Sequence, residues 1–355
     1  MMWTRGAQCK IESLFFLFIK MTEFSGQMLN CIESITLNNV TKIGESAFKN
    51  CRNLTTVNIL DSVTEIGSYA FMDCEKLTSI ILPNGLTKIG EGVFRDCRSL
   101  TTITIPNSVT EIETNKCIGC DGLTSIILPN RLTKIGEGVF WSCHSLTTII
   151  IPDSVTEIEP YAFTYCISLT SITLSNKLTK IGKEAFYGCH SLTTIVIPDS
   201  VTEIESYTFY DCRNLTTLII PDSVTEIGSC AFADCEKLNS IILPNKLTKI
   251  GRKAFYGCFS LATIIIPDLI TEIEPSTFSD CYALNSIVLP NRLTKIGKSA
   301  FYDCCNLTTI TIPKSVTEIE PYAFANCSAL EMVTILNPNA EIWGNAFPTC
   351  AIIKN

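Results

Sequence analysis

The sequence predicts one elongated repeat solenoid, in which about fourteen short coils stack on one another. Cysteine recurs every 23 residues, as Cys51, Cys74 and Cys97 show, and the series continues to Cys350. Columns of phenylalanine and proline keep the same interval. A unit of this length cannot bury its apolar face alone, so each unit has to stack on its neighbours to be stable.

The opening segment of each unit is predicted to form a β-strand. Residues Leu100, Ile103 and Ile105 follow the spacing L-x-x-L-x-L, and the β-branched residues between them favour an extended backbone. These three side chains point into the coil, whereas Thr102 and Thr104 face outward. The spacing is typical of a leucine-rich repeat, so we expect a curved parallel β-sheet whose outward side chains line the concave face.

The remainder of each unit returns the chain to the core. Pro106 ends its strand because proline has no N–H group and a fixed φ, and the Asn or Asp that follows such prolines favours a turn. Val109 and Ile112 then supply a second apolar pair. The A-F-x-x-C segment that closes the unit suits one short helical or 3₁₀ turn, with its Ala, Phe and Cys facing the interior.

One position of the second apolar segment carries a charge in every unit. Its sign mostly alternates from coil to coil, as in Lys42, Glu65 and Lys88, and Glu203 followed by Glu226 breaks the alternation. Opposite charges on neighbouring coils would form exposed pairs worth about 0.2–1 kcal/mol each. We therefore expect this column to contribute to register more than to stability.

The repeat also defines the domain organisation. We assign residues 31–350 to the solenoid, residues 1–30 to an N-terminal segment that is either a cap or a signal-like region, and residues 351–355 to a C-terminal tail. Terminal coils of a solenoid expose a cross-section of the core and usually need a cap. No cap is evident after Cys350, so the open strand edge could support end-to-end self-association.

Composition limits the classes of partner. Hydrophobic residues make up 46% of the chain and charged residues 17%, which indicates a folded protein. A net charge of −8 with no Lys/Arg block argues against nucleic acid. The only strongly apolar run near the N-terminus is LFFLFI at residues 14–19, which is too short to span a membrane.

Candidate catalytic and metal-binding groups prove to be repeat positions. The pairs Cys143-His144 and Cys189-His190 resemble thiol–imidazole or metal motifs, but we expect each cysteine to point inward and the next residue outward. The C-x-x-C motif that begins at Cys117 arises because this cysteine occupies the phenylalanine column. The sequence therefore predicts a non-enzymatic protein with no metal or cofactor.

The outward strand positions hold the candidate binding residues. One column is hydroxyl throughout, and the second has its longest uninterrupted apolar run over five successive coils. An exposed stripe of this length is a candidate docking site, although β-branched residues in strands also occur for backbone reasons alone. The predicted partner-binding residues are Val196, Ile219, Ile242, Ile265, Val288, Thr217, Ser240 and Thr263.

The unit from Leu77 to Cys97, LTSIILPNGLTKIGEGVFRDC, resembles the repeats of the BspA-like leucine-rich-repeat family, and the resemblance covers residues 32–350. It implies a leucine-rich-repeat solenoid with the role of a surface antigen, displayed at the cell surface or secreted, that binds a protein or glycan partner in adhesion. The alternative is an intracellular, cytoplasmic scaffold or regulatory binding protein, because the sequence has no clear signal peptide.

Overall fold

The computed structural model describes residues 9–11, 32–37, 40–112 and 117–354. The chain divides into two compact units, residues 1–177 and residues 178–355, which we call unit 1 and unit 2. Each unit is a parallel β-solenoid, and its strands pair in parallel with partners one coil away in the chain. The predicted leucine-rich-repeat fold is confirmed.

Most coils contribute a longer and a shorter strand, and isolated bridges at Ile112 and Thr194 replace a strand in two of them. The longer strands, with the additional N-terminal strand β1, are β1 Cys9–Ile11, β2 Ser34–Leu37, β4 Thr56–Ile59, β6 Ser79–Ile81, β8 Thr102–Thr104, β9 Ser125–Ile127, β11 Thr148–Ile150, β13 Ser171–Thr173, β16 Thr217–Ile219, β18 Ser240–Ile242, β20 Thr263–Ile265, β22 Ser286–Val288, β24 Thr309–Ile312, β26 Met332–Ile335 and β28 Ile352–Lys354. The shorter strands are β3 Lys42–Ile43, β5 Glu65–Ile66, β7 Lys88–Ile89, β10 Lys134–Ile135, β12 Glu157–Ile158, β14 Lys180–Ile181, β15 Glu203–Ile204, β17 Glu226–Ile227, β19 Lys249–Ile250, β21 Glu272–Ile273, β23 Lys295–Ile296, β25 Glu318–Ile319 and β27 Glu341–Ile342.

The two ends of the chain carry strands outside the regular repeat. Strand β1 pairs in parallel with β2, with Cys9 opposite Ile35. The remainder of the predicted N-terminal segment, residues 1–8 and 12–30, lies outside the described residues. Within the predicted C-terminal tail, β28 pairs in parallel with β26, with Ile352 opposite Met332. The assignment of a cap or a signal-like region stays a prediction.

The A-F-x-x-C segments form turns that are not helical, and no helix occurs in the described parts of the chain. In the first complete segment Ser46 and Asn50 adopt positive φ values of 55° and 63°. The N–H groups of Ser46, Phe48 and Asn50 donate to carbonyls of the next coil at 2.7–2.8 Å. The predicted helical or 3₁₀ turn is wrong. Every second N–H group of the segment bonds to the next coil, whereas in a 3₁₀ helix every N–H group would bond to a carbonyl of the same helix.

Phenylalanine rings form a stacked column inside each unit. In unit 2 the ring centroids of Phe278 and Phe301 lie 5.4 Å apart with an interplanar angle of 9°. Burial of each such side chain stabilises the fold by about 1.5–3 kcal/mol. In unit 1 the column is interrupted at Cys117, and a small apolar cavity opens between Phe94 and Phe140. The substitution that was recognised in the sequence therefore leaves a packing defect.

The repeat cysteines are core residues, as predicted, and they also act as hydrogen-bond donors. The thiol of Cys258 donates to the backbone carbonyl of Phe232 at a distance of 3.2 Å, and the same geometry recurs along both units. The cysteines from Cys51 to Cys350 are free thiols, and they are buried except Cys305, which is half-buried, and the last repeat cysteine, Cys350, which is exposed. The thiol gives the buried carbonyl an additional hydrogen-bond donor, which a purely apolar side chain could not supply.

The predicted charge pairs are present on the surface. The Lys42 ammonium lies 2.6 Å from a Glu65 carboxylate oxygen, and the Lys295 ammonium lies 3.1 Å from one of Glu318. Where the alternation breaks, Glu203 lies directly opposite Glu226 in the parallel register. Because the paired groups are exposed, these contacts contribute little to the free energy of unfolding.

Candidate functional site

The predicted stripe lies exposed on one face of unit 2. We call the outward side of β16, β18, β20 and β22, with the preceding coil, the strand face, and we call its five aliphatic side chains the apolar stripe. The exposed fractions are 81% for Val196, 70% for Ile219, 63% for Ile242, 71% for Ile265 and 56% for Val288. Aliphatic side chains left this open to water form a surface that can gain free energy by burial against a partner.

The strand register places members of the stripe side by side. Ile219 lies opposite Ile242, and Ile265 lies opposite Val288. Strands β18 and β20 are in contact, which joins the two pairs. The coil that carries Val196 has no long strand, but its Thr194 forms a parallel bridge with Thr217. Neighbouring strands lie about 4.8 Å apart, so the five side chains form a continuous ridge.

A hydroxyl column borders the stripe. Thr217, Ser240 and Thr263 are exposed on the same strand face, two residues before the stripe in each coil. Thr217 pairs with Ser240 in the parallel register. The residue before Thr217, Thr216, is half-buried, and its Oγ1 donates to the Thr193 carbonyl at 3.3 Å. The ridge therefore has hydrogen-bonding groups along one side.

The strand face of unit 2 has no charged or aromatic side chain. Residues 193–196, 216–219, 239–242, 262–265 and 285–288 contain neither type. A surface of this kind offers apolar contact and neutral hydrogen bonds. It lacks both the flat rings on which sugars stack and the cations that bind phosphate.

Unit 1 carries the same column in an interrupted form. Ile81, Ile127 and Ile150 are exposed by 63–73%. Thr104 separates the first of these from the other two, and Thr173 follows Ile150 one coil later. Only two successive aliphatic side chains occur there. Unit 1 thus provides an internal comparison in which the backbone is the same and the continuous ridge is missing.

The thiols that resembled catalytic groups lie in the core and away from their histidines. The Cys143 thiol donates to the Cys117 carbonyl at 3.2 Å, and burial raises the pKa of Cys143. His144 instead faces solvent, with Nδ1 2.8 Å from Asp121 Oδ1. A thiol held in its protonated form is a poor nucleophile. The predicted separation of inward thiol and outward imidazole is therefore correct at this pair.

The second histidine also contacts a carboxylate. His190 Nε2 lies 2.9 Å from Asp211 Oδ2, and Arg213 Nε lies 2.7 Å from Asp211 Oδ1. At the C-x-x-C motif, the neighbouring Cys117 thiol and burial raise the pKa of Cys120. His190 is therefore paired with a surface carboxylate, whereas the Cys120 thiol lies in the core.

Neither a metal site nor a membrane-spanning helix is present in the part of the chain that the structure describes. There, no three His, Cys, Asp or Glu side chains are grouped so that they could hold a metal ion. In that part of the chain, no helix has the length and apolar character needed to cross a membrane.

Comparison with known proteins gives the family. The model of the BspA type leucine-rich-repeat region matches the chain in six copies, over residues 18–147, 99–216, 133–262, 202–331 and 248–355. The chain belongs to the BspA-type leucine-rich-repeat family. Proteins of this family and fold generally act as scaffolds for protein interaction.

Solved structures of bacterial leucine-rich-repeat proteins are similar to this BspA-type chain. A protein from Bacteroides ovatus is 29% identical with a TM-score of 0.70, and the match covers 92% of this chain and 84% of that one. A leucine-rich cell-surface protein from Faecalibacterium prausnitzii is 33% identical with a TM-score of 0.54, covering 86% and 88%. A protein from Eubacterium ventriosum is 27% identical with a TM-score of 0.52, covering 85% and 84%. No curated protein matches the chain.

Aromatic residues outside the strand face were not among the binding residues predicted from the sequence. The A-F-x-x-C segments and the two residues after each repeat cysteine form a second surface, which we call the turn face. In unit 2 the rings of Phe259 and Tyr282 stack there, each directly after a repeat cysteine. The sequence does place two aromatic residues in successive coils at the position after the repeat cysteine. The pair is difficult to recognise there, because the residue type at this position differs in almost every coil.

Proposed function

We propose that this BspA-type chain is a non-enzymatic adhesion or interaction protein whose strand face in unit 2 binds a protein partner. The observation that carries the proposal is the apolar stripe, five successive aliphatic side chains that are all more than half exposed. The sequence also allowed a glycan partner. A protein is favoured because the strand face of unit 2 has no aromatic side chain and no charge.

The stripe and the hydroxyl column suit different parts of one interface. Burial of Ile219, Ile242 and Ile265 would supply most of the binding free energy, at about 25 cal/mol per Å² of apolar surface. Thr217 and Ser240 would supply hydrogen bonds that fix the orientation of the partner. The opposing interpretation is that β-branched residues occur here only because they suit strands, and it predicts no loss of binding when they are changed.

The test is a double substitution with a matched control in the other unit. Ile242→Glu with Ile265→Glu places two charges in the stripe, whereas Ile127→Glu with Ile150→Glu places two charges in the same column of unit 1. Binding of the full chain to immobilised fibronectin, to fibrillar collagen and to a neutral glycan array is measured by biolayer interferometry. Binding of bis-ANS is measured alongside, because this dye reports exposed apolar surface without requiring the natural partner.

We expect the unit 2 variant to lose protein binding by about tenfold or more, since each buried aliphatic side chain is worth about 1.5–3 kcal/mol. It should also lose more bis-ANS fluorescence than the unit 1 variant. Equal loss in the two variants would contradict a role for the continuous stripe. Binding to glycans alone would contradict a protein partner.

Display at the cell surface or secretion is part of the proposal. The support is the similarity to the cell-surface protein of Faecalibacterium prausnitzii, which is 33% identical. The alternative is an intracellular scaffold. Protease shaving of intact cells, followed by intact-mass measurement with thiol counting, separates the two, because an intracellular chain is protected until the cells are lysed.

End-to-end self-association is the second candidate activity. Strand β28 pairs with β26, and its residues Ile352 and Ile353 are 63% and 46% exposed. An exposed apolar strand can pair with another chain. Analytical ultracentrifugation of the chain and of Ile353→Lys tests this, and a wild-type chain that stays monomeric at high concentration refutes it.

A further inference from the structure

The turn face of unit 2 carries a surface that the strand face does not explain. The rings of Phe259 and Tyr282 stack with centroids 5.1 Å apart and an interplanar angle of 12°. They are exposed by 37% and 42%, so part of each ring is open to a ligand. We call these two rings, together with the carboxylates of Asp280 and Asp303, the acidic–aromatic patch.

The carboxylates lie close to the rings. Asp280 Oδ1 accepts a hydrogen bond from the Tyr282 hydroxyl at 3.4 Å, and Asp280 Oδ2 accepts one from Ser279 Oγ at 3.0 Å. Burial raises the pKa of Tyr282, and the negative charges of Asp280 and Asp303 raise it further. Asp303 occupies the same column as Asp280 one coil later, so the two carboxylates are neighbours along the turn face.

The turn segments that carry the patch contain no basic residue, and the nearest one along the chain, Lys253, lies over the Tyr256 ring. Residues 256–260, 279–283, 302–306 and 325–329 read YGCFS, SDCYA, YDCCN and ANCSA, without lysine, arginine or histidine. Three coils earlier the position equivalent to Asp280 is Asp211, and there the chain places Arg213 Nε 2.7 Å from the carboxylate. The carboxylate at this column accepts a guanidinium when the chain supplies one.

The residues just before these turn segments show how aromatic rings of the solenoid accept an ammonium group. Lys253 Nζ lies over the Tyr256 ring, 4.9 Å from the centroid, and Lys183 Nζ lies 5.8 Å from the centroid of Tyr207. Cations over aromatic faces are attracted by the ring quadrupole, by about 0.5–1 kcal/mol at exposed sites. The Phe259 and Tyr282 rings offer the same type of surface with carboxylates beside it.

We infer that the acidic–aromatic patch binds a lysine or arginine side chain of a partner protein segment, with the cation against the rings of Phe259 and Tyr282 and paired with Asp280 and Asp303. A neutral sugar could stack on the same rings. It is less well matched, because two carboxylates beside the rings favour a cationic ligand. Binding here is separate from binding to the apolar stripe, since one uses the turn face and the other the strand face.

The repeat itself identifies substitutions that the fold tolerates. The column of Phe259 and Tyr282 holds arginine, glutamate, aspartate, histidine, isoleucine, cysteine and serine in other coils. The column of Asp280 holds asparagine at Asn50 and Asn326, and both adopt the same positive φ as Asp280. The variants Phe259→Ser with Tyr282→Ser, and Asp280→Asn with Asp303→Asn, should therefore leave the solenoid intact.

The experiment measures binding of the full chain to defined peptides by isothermal titration calorimetry. The probe is a ten-residue peptide of alternating glycine and lysine, and the matched probe is the same peptide with every lysine acetylated. Cellohexaose serves as the neutral sugar. The control variant, Asp73→Asn with Asp96→Asn, removes the same two charges from the same column in unit 1.

We expect acetylation to weaken binding about tenfold, because it removes both the ion pairs and the cation–π contacts. Asp280→Asn with Asp303→Asn should weaken it about fivefold and the aromatic pair about threefold, with a change below about twofold in the control variant. Rising salt should weaken wild-type binding.

Four results would overturn the inference. The first two are no detectable binding of the lysine peptide by the wild-type chain, and equal affinity for the lysine peptide and the acetylated peptide. The third is an equal loss of peptide binding in the two aspartate variants. The fourth is cellohexaose binding that the aromatic variant abolishes while its peptide binding persists. Circular dichroism of each variant confirms that the fold is retained.

Discussion

The Cys258 thiol donates a hydrogen bond to the backbone carbonyl of Phe232, 26 residues earlier, at a distance of 3.2 Å. The same carbonyl accepts the N–H of Cys235 at 3.3 Å. One buried oxygen is thus satisfied by the turn of its own coil and by the thiol of the next. This relationship explains why a small residue with a donor recurs at this column, where alanine would fill less space and donate nothing.

Removal of this thiol should destabilise the solenoid. Cys258→Ala leaves the Phe232 carbonyl with one hydrogen bond fewer and opens a cavity, so we expect a loss of about 1–3 kcal/mol in the free energy of unfolding. Urea denaturation followed by circular dichroism measures the loss. The control is Cys305→Ala, because Cys305 is half-buried and lies outside the repeat column. An equal loss in both variants would show that the thiol ladder has no special role.

Filling the gap in the phenylalanine column should stabilise unit 1. Cys117 occupies that column, and the cavity beside it is lined by Phe94, Phe140, Ile105 and other apolar side chains. Cys117→Phe should raise the free energy of unfolding by about 1 kcal/mol, since it adds apolar burial where space exists. Thermal unfolding tests this.

The matched control for that substitution is Cys143→Phe, which puts the same ring into a filled position. It should be destabilising by about 1–3 kcal/mol. A lower melting temperature for both variants would mean that the cavity cannot accept the ring.

Glycine at the end of a short strand is required by the close approach of the neighbouring coil. A Cβ atom on Gly90 would overlap the backbone nitrogen of Ser68. Gly90→Ala should therefore cost about 1–3 kcal/mol, because the backbone has to move apart. Gly344→Ala is the control, since a Cβ there meets nothing within 4 Å. Equal melting temperatures for the two variants would contradict this packing.

Acid should weaken the solenoid partly through its surface ion pairs. Hydrogen bonding to Lys295 lowers the pKa of Glu320, and a hydrogen bond from Lys42 lowers the pKa of Glu65. A carboxylate whose pKa is lower in the folded state than in the unfolded state stabilises the fold fully at pH values above its unfolded pKa, about 4.3. This stability is lost as the pH falls through the folded pKa.

Replacement of both glutamates tests this contribution. We expect Glu320→Gln with Glu65→Gln to be less stable than wild type at neutral pH and to lose less stability on acidification below about pH 4.3. Urea midpoints measured between pH 7 and pH 3 provide the comparison. Parallel curves for the two chains would show that these pairs add nothing, as is common for exposed ion pairs.

Much of the candidate site could be predicted from the sequence because exposure follows from strand alternation. Ile219 and Ile242 are exposed for the same reason that Leu218 and Ile241 are buried: successive side chains of a strand point to opposite faces. The turn face could not be predicted in this way. Its geometry depends on N–H groups that bond to the next coil, and a local pattern such as A-F-x-x-C does not contain that information.

The sequence by itself determined the solenoid, the coil length, the buried columns and the exposed stripe, because a period of 23 residues forces equivalent positions into equivalent environments. The tertiary structure decided what happens between coils. Ser46 and Asn50 adopt positive φ because their N–H groups reach the following coil. Phe259 meets Tyr282 because stacking brings side chains 23 residues apart into contact. Such contacts arise only when one coil rests on the next.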